Sequence, residues 1–82
     1  MKKVTFSPIA KKQFLDLDKS IQIRIKSGIL KLGNIPPQGD IKKLKGRDKQ
    51  FRLRIGNWRV IFRDIETGIE ILAILPRGQA YK

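Results

Sequence analysis

The chain has 82 residues, and its 19 lysines and arginines against 7 aspartates and glutamates give a formal net charge of +12. It contains no cysteine and no histidine. This excludes disulfides, thiolate metal sites and every mechanism that depends on a histidine acid or base. The excess of positive charge indicates a polyanionic partner, either a nucleic acid or an acidic protein. A basic protein of the ribosomal type, or a merely soluble one, is the plainer alternative.

The hydropathy pattern predicts a cytoplasmic protein that does not contact membranes. No apolar run reaches the ~20 residues of a membrane span, and the N-terminal Met-Lys-Lys leads into no apolar signal segment. No repeat or linker divides the sequence, and its length is that of one small domain. A single domain over residues 1–82 is therefore predicted.

The first predicted elements are a strand and a helix. Residues 3–6 carry β-branched and aromatic side chains, which are typical of a strand. Ser7-Pro8 is typical of a helix start, with serine as the N-cap and proline in the first turn. Apolar residues then recur at helical spacing, which predicts a helix over Pro8–Leu17.

A second helix is predicted directly after the first. Asp18 can cap its start, and Gly33 is a candidate stop. Its apolar stripe consists of Ile21, Ile25, Ile29 and Leu32. Two helices joined this closely predict an antiparallel helical hairpin. The proline-rich segment Asn34–Asp40 is predicted to be a loop.

The second half of the chain changes to a two-residue period. Two alternating runs flank Gly56-Asn57, which is a good signal for a β-hairpin with a two-residue loop. Counting from this loop predicts that six apolar side chains share one face: Phe51, Leu53, Ile55, Trp58, Val60 and Phe62. Trp58 is thereby predicted to lie in the core rather than to stack on a nucleic-acid base.

A last strand is predicted over Ile69–Leu75, which is apolar at nearly every position. Such a strand is typical of the interior of a sheet with both faces covered, so a central position is expected. The predicted fold is α+β with the order β-α-α-β-β-β. The helical hairpin would pack on one face of a small antiparallel sheet.

The other face of the predicted β-hairpin carries an arginine cluster. The register places Arg54 opposite Arg59 and puts Arg52 and Arg63 on the same face; we call these four residues the arginine face. Like charges directly opposite each other cost up to ~1 kcal/mol. The cluster therefore predicts an anion site. A solvated outer face is the plainer alternative.

A lysine-rich segment lies just before the hairpin. Its basic residues are Lys42, Lys43, Lys45, Arg47 and Lys49. From Lys42 to Arg63 there are nine basic residues and a single acid, Asp48. Such a segment attracts phosphates without sequence specificity, although a solvated loop is the plainer alternative.

The C-terminal segment is predicted to contribute to the arginine face. Pro76 would end the last strand, and Gly78 allows a bend that would bring Arg77 and Tyr81 back across the sheet. A tyrosine there can stack on a base or use its phenol in proton transfer. Packing of Tyr81 at a frayed terminus is the alternative.

These motifs resemble the RelE/ParE superfamily of toxins. The resemblance rests on Lys43-Leu44-Lys45-Gly46, on the run from Phe51 to Phe62, and on the Arg77…Tyr81 pair. It implies a RelE-like fold and a toxin of a type II toxin–antitoxin pair, with a cognate antitoxin as partner. In the ribonuclease branch it further implies cleavage of mRNA on the ribosome. There the RNA 2′-OH attacks the adjacent phosphate, with neither metal nor cofactor.

The resemblance also implies roles for individual residues. The implied active site consists of Arg52, Arg54, Arg59, Arg77 and Tyr81. Arg59 and Arg77 would stabilise the charge of the pentacoordinate phosphate. Arg52 and Arg54 would seat the phosphate and favour the ionised phenol of Tyr81, the implied general base. The lysine-rich segment and Arg63 would contact mRNA and ribosomal RNA. Pro76 stands where many relatives have histidine, which removes a possible proton carrier.

Two other functions remain open from the sequence. A member of the ParE branch would inhibit gyrase without cleaving RNA, and a plain RNA-binding module would use the same basic face without chemistry. In the predicted register all seven acids lie off the arginine face. Since no group suited to proton transfer near neutrality is then available, a ribonuclease of this sequence is expected to depend on the ribosome for orientation.

Overall fold

A computed structural model describes residues 3–34 and 38–76. The elements in chain order are β1 (Lys3–Phe6), α1 (Pro8–Leu15), α2 (Lys19–Leu32), β2 (Asp40–Lys43), β3 (Gln50–Ile55), β4 (Trp58–Ile65) and β5 (Gly68–Pro76). Within these residues, five strands form one sheet in the order β1-β5-β4-β3-β2. All neighbouring strands are antiparallel except β1 and β5, which run parallel.

The α+β class and the helical hairpin on one sheet face are confirmed, with two differences. Strand β2 was not predicted, because Asp40–Lys43 is mostly polar and exposed and contains a single apolar residue. It forms because its backbone pairs with β3 along its whole length. The sheet is also mixed rather than antiparallel, since the direction of β1 depends on its distant partner β5.

Helix α1 begins as predicted and ends earlier. The Ser7 hydroxyl accepts a hydrogen bond from the Ala10 N–H at 3.1 Å, which is N-cap geometry. The helix ends at Leu15 rather than at Leu17. Leu17 nevertheless packs against the core, which explains why its spacing fits the helical pattern.

Helix α2 has the predicted bounds but different caps. Asp18 precedes it without a capping hydrogen bond from its side chain. Gly33 has φ −74°, so the helix does not end in the left-handed conformation that a glycine stop suggests. Gly28 lies where the helix approaches β3 closely, because a Cβ atom there would lie 2.5 Å from Ile55 Cδ1.

Both helices pack on the same face of the sheet. Ala10 of α1 belongs to one buried cluster with the α2 stripe. The cluster consists of Ala10, Ile25, Ile29, Leu32, Leu53, Val60, Phe62, Ile69, Ile71 and Ile74. Burial of these side chains is the main force that holds the helical hairpin on the sheet. The opposite sheet face carries the alternate residues of β3 and β4.

The register of the β3–β4 hairpin is confirmed. Ile55 lies opposite Trp58, Leu53 opposite Val60, and Arg54 opposite Arg59. Gly56 has φ 57°, a conformation that glycine adopts without strain at the first position of a two-residue loop. Trp58 packs against the core cluster, as predicted.

Strand β5 lies inside the sheet, but β4 rather than β5 is its middle strand. Strand β1 pairs with β5 only as far as Ile71. Beyond that point, side chains from outside β1 make hydrogen bonds to the backbone of β5. The Ser7 hydroxyl donates to the Leu72 carbonyl at 3.1 Å, and the Ile74 N–H donates to Gln13 Oε1 at 2.7 Å.

Candidate functional site

The arginine face lies on the sheet face opposite the helices. Arg52 and Arg54 are on β3, and Arg59 and Arg63 are on β4. Successive side chains of a strand point to opposite faces, so the packing of Leu53 and Val60 in the core turns these arginines away from it. Arg54 and Arg59 are directly opposite each other, as the sequence predicts.

The arginines differ in burial. Arg52 is only 9% exposed, Arg59 is half-buried and Arg54 is exposed. Arg52 lies opposite Ile61, which is also buried although it is on this face. The row across the sheet therefore combines a buried cation with a buried apolar side chain.

Two guanidinium nitrogens on this face have no hydrogen-bond partner among residues 3–34 and 38–76. They are Nε of Arg52 and Nη1 of Arg59, and both are buried. A buried donor without an acceptor lowers the stability of the fold by ~1–3 kcal/mol, and the loss is larger when the donor is charged. Arginine donors in this state are suited to an oxyanion, which accepts charge-assisted hydrogen bonds from several guanidinium groups.

An acid also lies on the arginine face, contrary to the sequence-based expectation. Asp40 of β2 is opposite Arg54, and its Oδ1 lies 3.6 Å from Nη2 of Arg52. For Asp40 the expectation was wrong because β2 was not predicted, so its side chains had no assigned face. The polar–apolar–polar order of Asp40-Ile41-Lys42 was the signal that could have placed it. The expectation was also wrong for Glu70 of β5, which is directly opposite Arg63.

A second acid on this face is paired with Arg63. Arg63 is opposite Glu70 of β5 and donates to Glu70 Oε1 at 2.8 Å. The register places Arg63 opposite Gln50, beyond the Arg52–Ile61 row. Arg63 thus belongs to an ion pair at one end of the arginine face. Its predicted contact with RNA would require the guanidinium to bind Glu70 and RNA at the same time.

The lysine-rich segment divides between β2 and the β2–β3 connection. Lys42 is opposite Arg52 and therefore adds to the arginine face, whereas Lys43 is opposite Phe51. Lys45, Arg47 and Lys49 are exposed in the connection. The connection is anchored by the buried Leu44, whose N–H donates to the Gln50 carbonyl at 3.0 Å. Its cations are thus held beside the sheet rather than on its open face.

Arg77 and Tyr81 lie outside the residues that the structure describes. Their roles, and the bend at Gly78, remain predictions from the sequence. Over residues 3–34 and 38–76, no three or more acidic side chains are grouped in a way that could hold a metal ion. In the same part of the chain, neither helix is long and apolar enough to cross a membrane.

Comparisons with known proteins agree with this architecture. The chain is 28% identical to a chain of the archaeal RelE–RelB complex from Pyrococcus horikoshii, with a TM-score of 0.76 and coverage of 96% of this chain and 98% of that chain. A chain of the RelB–RelE complex from Methanococcus jannaschii is 25% identical, with a TM-score of 0.74 and 88% coverage of each chain. The isolated Escherichia coli RelE toxin has the same fold, with a TM-score of 0.81 at 13% identity over 98% of this chain and 88% of that chain.

The sequence comparisons identify the family. No curated protein matches the chain significantly. The family model described as the ParE toxin of type II toxin–antitoxin systems matches residues 4–81. The chain therefore belongs to the ParE toxin family of type II toxin–antitoxin systems, within the RelE/ParE superfamily.

Proposed function

We propose that this toxin is a metal-independent endoribonuclease that cleaves mRNA on the ribosome and so inhibits translation. The observation that supports it best is a pair of buried guanidinium nitrogens, of Arg52 and Arg59, that have no partner within the described ranges. These donors lie on the sheet face opposite the helices, together with the exposed Arg54. A scissile phosphate would give both nitrogens the acceptors that they lack among the described residues.

The arginines would act by electrostatics. In the proposed reaction the RNA 2′-OH attacks the adjacent phosphate, and negative charge builds up on the phosphate oxygens. Arg52 and Arg54 would seat the phosphate, and Arg59 would stabilise the added charge. By the family resemblance, Arg77 and Tyr81 would complete the site. Preorganised cations of this kind typically contribute ~10²–10³ in rate each.

The ribosome would supply orientation. Arginine is a poor proton donor and accepts no proton, so the arginine face alone provides little acid–base catalysis. Alignment of the 2′-OH with the phosphate can lower a barrier by as much as ~7–11 kcal/mol. The exposed cations Lys42, Lys43, Lys45, Arg47 and Lys49 would contact mRNA and ribosomal RNA. We expect slow cleavage of free RNA and fast cleavage of ribosome-bound mRNA.

The proposed partner is an acidic antitoxin. Two of the similar archaeal structures are complexes of RelE with RelB. With a net charge of +12, this chain would attract an acidic inhibitory segment that covers the arginine face. Such an association is expected to be fast and to weaken as salt is added.

The test is induced expression followed by mapping of mRNA 5′ ends, for the wild-type protein and for Arg59→Ala. The wild type should cut translated mRNA, and Arg59→Ala should lose ~10²–10³ of the rate. Arg24→Ala removes an exposed arginine of α2 and should cut like the wild type. Absence of new 5′ ends with the wild type would contradict the proposal.

Gyrase inhibition is the second candidate, favoured by the ParE name of the matched family. It predicts growth arrest with loss of negative DNA supercoiling and with intact mRNA. A supercoiling measurement on the cultures that are used for 5′-end mapping separates the two functions. A plain RNA-binding module would produce neither cleavage nor loss of supercoiling.

A further inference from the structure

We propose that Asp40 is the proton acceptor for the 2′-OH, and that this carboxylate opposes anion binding while it promotes cleavage. The proposal rests on the endoribonuclease function proposed above. It gives Asp40 the acceptor role that the family resemblance implies for Tyr81. It arises from the position of β2, which brings a carboxylate beside the opposed pair Arg54 and Arg59.

The register places Asp40 within reach of a phosphate held by the arginines. Asp40, Arg54 and Arg59 form one row across three adjacent strands. Directly opposite residues of neighbouring strands have Cβ atoms ~4.5–5.5 Å apart. Asp40 also lies 3.6 Å from Arg52. A phosphate bound by Arg52 and Arg54 therefore lies beside this carboxylate, with the 2′-oxygen of the attached ribose only a few bonds from the phosphorus.

The carboxylate of Asp40 is also accessible to a bound ligand. The side chain is 59% exposed, and its contact with Arg52 is longer than a hydrogen bond, so its oxygens can accept a proton from a bound ligand. Glu70, by contrast, is bound to Arg63 at 2.8 Å at the far end of the face. The arginine and lysine side chains have no acceptor atom. Among the described residues of this face, Asp40 is thus the best-placed acceptor.

Cleavage in the proposed step exchanges one bond to phosphorus for another. An Asp40 carboxylate oxygen takes the proton of the 2′-OH while the 2′-oxygen forms a bond to phosphorus. The bond from phosphorus to the 5′-oxygen breaks, and the leaving 5′-oxygen takes a proton from solvent. The products are a 2′,3′-cyclic phosphate and a 5′-hydroxyl, and Asp40 returns its proton to solvent.

The same carboxylate should weaken binding of the ground-state anion. It carries a negative charge beside the phosphate position and competes with the phosphate for Arg52. Removal of this charge is expected to tighten binding of a simple oxyanion by at least about fivefold, the factor for two unit charges ~4 Å apart in water. Loss of a general base should slow cleavage by ~10²–10⁴. The two effects have opposite signs, which a merely structural residue would not produce.

The experiment compares the wild type with Asp40→Asn and Asp40→Glu, with Asp16→Asn as the matched control for charge. Asp16 is an exposed acid at the end of α1 and lies off the sheet. Sulfate affinity is measured from the rise in melting temperature, and the cleavage rate from single-turnover cutting of ribosome-bound mRNA. Asp40→Asn should bind sulfate more tightly and cut more slowly, Asp40→Glu should recover part of the rate, and Asp16→Asn should match the wild type.

Each other outcome overturns the proposal in a different way. A wild type that does not cut RNA removes the proposed function, and the acceptor role with it. A wild type that cuts while Asp40→Asn keeps its rate overturns the acceptor role alone. Parallel losses of sulfate affinity and rate in Asp40→Asn would mean that Asp40 merely holds Arg52 in place.

Discussion

The two faces of the β3–β4 hairpin are built from the same strands but have opposite effects on the stability of the fold. On one face Leu53 and Val60 are nearly inaccessible to solvent and pack against the helices. On the other face Arg54 is opposite Arg59, and two buried guanidinium nitrogens have no acceptor in the described part of the chain. The first face lowers the free energy of the fold, whereas the second raises it. Opposed arginines and buried donors without an acceptor in the described chain are best explained by a ligand.

The largest expected effect is on the apolar face. Leu53→Ala should lower the free energy of unfolding by ~2–5 kcal/mol, because it removes buried methyl groups and leaves a cavity. Urea titration followed by circular dichroism measures this change. Ile23→Ala is the control: that side chain is 63% exposed, and its loss should cost less than ~0.5 kcal/mol. Equal losses would mean that Leu53 does not contribute to a tightly packed core.

The next effect concerns the ligand of the arginine face. Sulfate or phosphate should stabilise the wild type by ~3 kcal/mol at 100 times the dissociation constant, since the anion binds only the folded chain. The measurement is melting temperature against anion concentration at constant ionic strength, with chloride as the reference salt. Arg59→Leu should abolish the stabilisation. An equal response of Arg59→Leu would place the bound anion elsewhere.

A smaller effect is expected when an arginine is removed without any ligand. Arg59→Leu should leave the anion-free protein unchanged or stabilise it by up to ~1 kcal/mol, because it relieves repulsion with Arg54. Unfolding in a buffer free of phosphate and sulfate measures it. Marked destabilisation would identify Arg59 as a structural residue and contradict the anion site.

The smallest expected effect is at the Arg63–Glu70 pair. Both side chains are partly exposed, so Arg63→Gln should cost only ~0.2–1 kcal/mol of stability. If Arg63 also contacts RNA, the variant should bind single-stranded RNA with a reduced salt dependence. A filter-binding titration at several salt concentrations tests this, and an unchanged slope would limit Arg63 to the ion pair.

Prediction from the sequence succeeds for elements with one buried face, because burial places apolar residues at regular intervals along the chain. The α2 stripe and the alternating hairpin residues are such patterns, since a shift of one residue would expose Leu53 and bury Arg54. This is why the register of Arg54 and Arg59 followed from counting alone.

The sequence fails where structure depends on a partner strand. Strand β2 is held by its backbone bonds to β3, and its mostly exposed side chains leave little trace in the hydropathy pattern. The direction of β1 is set by β5, more than sixty residues away in the chain. Asp40 was misplaced for this reason, while Arg77 and Tyr81 lie outside the described residues.

Two side chains hydrogen-bond to the backbone of β5 beyond the end of β1, and they affect how readily the protein can self-associate. A strand with free backbone groups along one side is a template on which a second molecule can add its own strand. Here Ser7 and Gln13 occupy the Leu72 carbonyl and the Ile74 N–H, and Pro76 has no N–H to offer. Strand addition at this place is therefore disfavoured. Gln13→Ala would expose the Ile74 N–H and should raise the tendency of the purified protein to aggregate. The substitution leaves the arginine face unchanged.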